Sequence, residues 1–184
     1  MCLAQSDQDA DKLIQLGANA VRVPGNLKYA ADPLPVDDGM LTALWNIVST
    51  RPVWIAASTH KGEEEPVANA HYAIAENHPG LLTIIVPRHP IRGKEIAISL
   101  ANLGLTVSLR SENKSVQPET QIYIADTVGE LGLFYRISPI AFIGGTLIPH
   151  GGQNMLEAAK LECAIIHGPS TSNFSSITNE ISEV

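Results

Sequence analysis

A doubly wound, Rossmann-like α/β sheet is the fold this sequence predicts. Three observations predict it. Apolar runs of four to six residues recur beyond residue 50, most of them are continuous rather than alternating, and each is followed by a polar or glycine-rich turn. Continuous runs suit parallel strands buried on both faces by crossover helices, whereas a sheet with one wet face would alternate apolar and polar positions.

The elements follow in order. Ser6 to Leu16 has a helical pattern stopped by Gly17, and the strand-like NAVRV (19–23) and PGNLKYA come next. ADPLPVDDG carries two prolines and three acidic residues. Proline forbids a continued helix and interrupts sheet pairing, so this stretch is expected to be a linker. The expected division is residues 1–30, a linker at 31–40, and a main domain at 41–184. In that domain VWIAA (53–57) leads to a helix around Pro66 to Glu76. LLTIIV (81–86) leads to a helix from Lys94 to Leu103, with Ile96, Leu100 and Leu103 on one face and Gly104 as its stop. LTVSL (105–109) and QIYIA (121–125) precede a helix from Thr127 to Tyr135. IAFI (140–143) precedes a glycine loop, a helix from Asn154 and the strand AIIH (164–167).

Composition narrows the function classes. The 184 residues are 45% hydrophobic and 17% charged, enough for one globular domain with a sizeable core. A net charge of −7 argues against a nucleic-acid binder, which needs a basic face, yet leaves room for a small anionic ligand held locally. Cys2 and Cys163 lie far apart and match no metal or redox spacing. No run reaches the ~18 apolar residues of a membrane span, and the first residues lack the pattern of a secretion signal.

Ligands of a doubly wound sheet belong at the carboxyl ends of its strands, and four of those ends carry polar turns: STHKGEEE, PRHP, DTVGEL and GGTLIPHGGQN. In DTVGEL, Thr127 and Glu130 have the spacing of a capping box, which alone would account for both side chains. The backbone N–H groups of Val128, Gly129 and Glu130 would nevertheless point outward at a helix start, where the dipole favours phosphate. Asn154 and Glu157 repeat the spacing, and Glu157 has the further option of accepting from ribose hydroxyls. In PRHP two prolines stiffen the loop that carries Arg88, a natural fork for phosphate that could equally pair with a surface carboxylate. Ser58 and Thr59 can donate hydroxyls to an anion or cap a helix. His60 with Glu63 or Glu64 is not a zinc spacing, and no metal ligand set is expected.

Taken together, six stretches resemble the 3-deoxy-D-manno-octulosonic acid (Kdo) transferases of lipopolysaccharide synthesis. They are GNLKY (25–29), VWIAASTHKGEE (53–64), VPRHP (86–90), DTVGELGLFY (126–135), FIGGTLIPHGGQNMLEAA (142–159) and GPSTSNF (168–174). STHKGEE and GGxxxxxGGxNxLEAA are long and unusual, so the signal is far more specific than a lone GxGxxG. The resemblance implies the C-terminal half of a two-domain GT-B glycosyltransferase that uses CMP-Kdo as donor substrate, with no cofactor or metal. It implies CMP contacts at Pro87 and Arg88, at Val128, Gly129 and Glu130, and at Asn154, Met155, Leu156 and Glu157. Ser58, Thr59 and Gly145 stand beside them, the glycine loop letting the nucleotide approach.

Residues 1–30 would then be a remnant of the acceptor domain and the C-terminus would stop short of the closing helices. The catalytic base, the lipid A precursor site and the membrane-associating segment would lie in an N-terminal domain that precedes this stretch. The full-length enzyme is expected at the cytoplasmic face of the bacterial inner membrane, and the fragment by itself soluble and inactive. Gln153, Met155, Thr146 and Ser170 depart from the family's usual His, Pro, Ser and His. The alternatives are another GT-B sugar-nucleotide enzyme, such as a UDP-sugar transferase or epimerase, and a non-catalytic nucleotide-binding module.

Overall fold

A computed structural model describes residues 1–112, 115–174 and 177–178. The chain divides into two compact units, Met1–Pro33 and Leu34–Val184. In the first, strands β1 (Cys2–Leu3) and β2 (Val21–Arg22) pair in parallel and helix α1 (Asp7–Gln15) connects them. Ser6 caps α1, its hydroxyl oxygen accepting the Asp9 N–H at 3.2 Å, with Asp7 and Asp9 at the positive end of the helix dipole.

The second unit opens with α2 (Asp38–Val48), which starts inside the stretch expected as linker. Asp37 is its N-cap, accepting the Met40 N–H at 2.8 Å, so acidic residues that read as linker polarity are the cap and first turn of a helix. The remaining elements are β3 (Val53–Thr59), α3 (Glu64–Ala75), β4 (Leu82–Pro87), α4 (Gly93–Asn102), β5 (Val107–Leu109), β6 (Ile122–Ile124), α5 (Leu131–Ile137), β7 (Ile140–Ile143), α6 (Leu156–Ala159) and β8 (Ala164–His167). Six of these strands form one parallel sheet in the order β5-β6-β4-β3-β7-β8, as the continuous apolar runs predict.

Alternation within each strand now sends side chains to two different helical layers. Val53, Ile55 and Ala57 meet α2, α5 and α6 through Leu44, Val48, Leu133, Phe134 and Leu156. Trp54 and Ala56 meet α3 and α4 through Val67, Ala68, Ile96 and Leu100. Burying each large apolar side chain in these layers contributes roughly 1.5–3 kcal/mol. Cys163 is a buried free thiol in the first layer, and burial pushes its pKa up.

The helix expected from Thr127 begins four residues later, at Leu131, with Glu130 as N-cap. The capping box does not form. Instead the Thr127 hydroxyl donates to the Glu130 carboxylate, and Arg110, just past β5, grips that carboxylate through two hydrogen bonds of 2.5 Å. A tertiary ion pair has taken the side chain the local motif would use. The expectation of a truncated C-terminus concerns residues beyond Phe174, of which only Ile177 and Thr178 are among the described residues.

From central β3 the chain fills one side of the sheet and then returns to β7 on the other. The crevice of a doubly wound fold therefore opens between the carboxyl ends of β3 and β7.

Candidate functional site

At the end of β3 the pairing with β4 shifts register between Ala57 and Thr59, and Ser58 takes a left-handed φ of 57°. Such a bulge re-aims a side chain at a strand end, and Ser58 lines a cavity at the sheet's carboxyl rim. Thr59 points inward and is fully buried.

A single carboxylate then fixes the turn after β3 to the turn after β7. Glu63 is fully buried and accepts four backbone N–H groups: His60 at 2.8 Å, Gly145 at 2.7 Å, Thr146 at 3.0 Å and Leu147 at 3.0 Å. Backbone pairing of this kind satisfies a buried charge without a counter-ion. Gly144 makes the approach possible, since a Cβ there would lie 2.6 Å from the Ser58 carbonyl carbon. The loop closes on itself through Gly152 N–H to the Gly145 carbonyl at 2.8 Å, and Ser170 accepts the Gly151 N–H at 3.0 Å. Thr146, one of the departures, keeps the hydroxyl function: it donates to the Ile143 carbonyl at 2.5 Å and accepts the Gly168 N–H at 2.8 Å.

All four polar turns reach one cavity of about 330 Å³, lined by Ser58, by Pro87, Arg88 and Pro90, by Thr127, Val128 and Gly129, and by Gln153, Asn154 and Glu157. Arg88 hydrogen-bonds through its backbone to the Thr59 carbonyl at 2.9 Å, while its exposed guanidinium has no carboxylate partner among the described residues. The surface-pair alternative for Arg88 thus lacks a partner among the described residues. The N–H groups of Val128, Gly129 and Glu130 have no protein acceptor among the described residues, and Gly129 sits at φ 85° with open space around its Cα. Val128 is 85% exposed, so its amide borders solvent and cavity rather than core.

The expected site residues thus divide. Ser58, Pro87, Arg88, Val128, Gly129, Asn154 and Glu157 meet in the cavity. Glu130 can offer only its N–H, because Arg110 and Thr127 hold its side chain, and their hydrogen bonds keep the carboxyl below the usual carboxylate range. Met155 and Leu156 are buried under the loop, Thr59 is buried in the sheet end, and Gly145 spends its N–H on Glu63. Asn154 does not make the capping box: its side chain accepts the Leu156 N–H at 3.3 Å and donates to Glu157 at 3.0 Å. The helix itself, α6, starts two residues beyond Asn154.

Sequence reading gave no site role to Glu63, Arg110 or Gln153. Glu63 is one of three consecutive glutamates, and nothing local says which is buried. Arg110 had a weak signal, an arginine leaving the strand next to the one that leads to Glu130.

A second, larger cavity of about 410 Å³ begins near Pro52 and Leu81, toward the amino ends of β3 and β4, and runs past Trp54, Ile74, Ile140 and Phe142. Its lining carries no carboxylate, guanidinium or ammonium group. A phosphate needs a guanidinium, an ammonium or free N–H donors, so size does not make this the anion site. Among the described residues no group of three or more His, Cys, Asp or Glu is arranged to hold a metal ion, and no helix is long and apolar enough to cross a membrane.

A parallel sheet whose strand-end loops bring a guanidinium, unpaired amides and a carboxylate to one crevice has the arrangement of a nucleotide-binding α/β domain. Comparison with known proteins makes this specific. The chain is 41% identical over 160 residues to a probable 3-deoxy-D-manno-octulosonic acid transferase, mitochondrial, of Arabidopsis thaliana, covering 84% of this chain and 36% of that protein. It is 40% identical over 167 residues to the 3-deoxy-D-manno-octulosonic acid transferase of Haemophilus influenzae, covering 89% of this chain and 39% of that protein. Among solved structures it matches the C-terminal CMP-Kdo binding domain of WaaA from Acinetobacter baumannii at a TM-score of 0.74 and 36% identity, over 79% of this chain and 77% of that one. No protein-family model matches the chain. The chain belongs to the 3-deoxy-D-manno-octulosonic acid transferase family.

Proposed function

We propose that this chain supplies the donor-nucleotide side of a Kdo transferase, binding CMP-Kdo at the sheet's carboxyl rim. In the whole enzyme Kdo passes from CMP-Kdo to a lipid A precursor at the cytoplasmic face of the bacterial inner membrane. The acceptor cleft and catalytic base then lie outside residues 41–184. The observation that carries the reading is the convergence on one cavity of Arg88 with Val128 and Gly129, whose guanidinium and amides have no protein partner among the described residues. A phosphate placed there is neutralised by a fixed cation and by oriented N–H dipoles, with no metal needed.

Titration of the chain with CMP, UMP and UDP tests this. CMP should bind at least about tenfold more tightly than UDP, a difference of ~1.4 kcal/mol, and EDTA should leave that affinity unchanged. Tighter UDP binding would point to another sugar-nucleotide enzyme of the same fold, and strict dependence on Mg²⁺ would contradict the neutralisation scheme.

Glu157 serves as the ribose acceptor. Its structural partner is the Asn154 side chain rather than a backbone N–H, so it is not consumed by capping. Glu157→Gln should lower CMP affinity by roughly 1–2 kcal/mol, the difference between a charge-assisted and a neutral acceptor, with the melting temperature nearly level. Calorimetry and thermal melting on the same sample check it, and unchanged affinity would remove the ribose role.

A further inference from the structure

Beside the cavity stands a cluster of three histidines that do not line it. The rings of His60 and His150 lie 4.1 Å apart and tilted by 37°, and His89 meets His60 edge-on at 6.1 Å. Gln153, which lines the cavity, places its Nε2 at 3.1 Å from His60 Nε2. His89 follows Arg88 directly, so the cluster and the cavity share one edge. The loop is built to bring these rings close: a Cβ on Gly145 would stand 3.3 Å from His150 Nδ1 and 3.5 Å from His60 Cδ2.

The cluster is rich in donors and lacks an anion. Glu63, the carboxylate that acts on His60, has both oxygens committed to backbone N–H groups. Burial, His150, His89 and Arg88 all press His60 toward its neutral form, lowering its pKa against the pull of Glu63. His89 and His150 are exposed, so an incoming group can reach them.

We propose that His60, His89 and His150, with Gln153, bind the carboxylate of the ulosonic acid carried by the nucleotide. The proposal rests on the reading of the cavity as the CMP site. In CMP-Kdo the carboxylate is attached to the same carbon that bears the phosphate oxygen. Wherever Arg88 holds the phosphate, a second negative group must therefore sit immediately beside it, and the side chains standing there are these imidazoles. The carboxylate supplies the charge that three crowded rings next to a guanidinium lack. A ribonucleotide without the sugar acid never engages them, and a neutral sugar finds no counterpart. The cluster thus selects ulosonic acids over other sugars on the same nucleotide.

The test is to titrate the wild-type chain and His60→Ala with CMP, with freshly prepared CMP-Kdo and with the methyl ester of CMP-Kdo, following melting temperature alongside. Glu63 holds the backbone of His60 rather than its ring, so the fold should survive the substitution. His60→Ala should weaken CMP-Kdo about tenfold, the size of a lost charge-assisted hydrogen bond, and leave CMP and the ester within about twofold. His150→Gln, on the exposed side of the cluster, should weaken CMP-Kdo in the same selective way, and His60→Asn should restore part of the loss. Equal weakening of CMP and CMP-Kdo, or no weakening of either, overturns the carboxylate assignment while leaving the nucleotide site standing. Failure of the wild-type chain to bind CMP overturns the reading of the cavity, and the proposal falls with it.

Discussion

Replacing Glu63 by alanine is expected to lower the stability of the main unit by about 3–5 kcal/mol, because four backbone N–H groups, two of them buried and two half-buried, lose their acceptor at once and each buried unsatisfied donor costs roughly 1–3 kcal/mol before relaxation. The N–H groups of His60, Gly145, Thr146 and Leu147 would then lack the acceptor that joins their two turns. Glu63→Gln is expected to be almost as harmful. Its oxygen can replace one pair of bonds, but its amide group would point N–H toward N–H. Urea unfolding monitored by Trp fluorescence measures both. A loss under about 1 kcal/mol for the alanine variant would mean that the two loops hold their shape without the carboxylate. The same variants should bind CMP poorly, since Ser58 and Gln153 stand on the loops that Glu63 joins.

The second large effect falls on binding alone. Arg88→Ala should weaken CMP by on the order of 1.5–3 kcal/mol, roughly 10- to 150-fold, through loss of a charge-assisted phosphate contact. The melting temperature should stay level, because the exposed guanidinium has no protein partner among the described residues to lose. Lysine should recover only part of the affinity, having the charge without the planar fork. Calorimetry showing unchanged affinity for alanine would remove Arg88 from the phosphate site.

How much of this was legible beforehand depended on the range of the forces involved. The sheet strands were readable because a parallel strand buried on both faces has to be apolar along its length, as 53–57, 81–86 and 140–143 are. The rim position of the site was readable for the same reason, since the fold directs ligands to the turns after those strands. What escaped was tertiary. Helix α2 begins within a proline- and aspartate-rich stretch, where Asp37 caps it and its buried Leu44 and Val48 hold it to the sheet. The start of α5 moved because Arg110, twenty residues upstream of Glu130, claims the carboxylate that a local capping box would have used. Ser58 reaches the cavity through a register shift that no residue pattern announces. Met155 and Leu156 are family-motif neighbours of Asn154, but at the start of α6 both are buried in the core.

The most direct test is where CMP lands. In a titration of the isotopically labelled chain followed by amide chemical shifts, the largest changes should fall on Val128, Gly129, Glu130 and Arg88, with smaller ones at Ser58 and Asn154, as a phosphate settles against those N–H groups. Changes confined instead to Trp54, Val67, Ile74, Ile140 and Phe142, the lining of the larger apolar cavity, would contradict a nucleotide site at the carboxyl rim of the sheet.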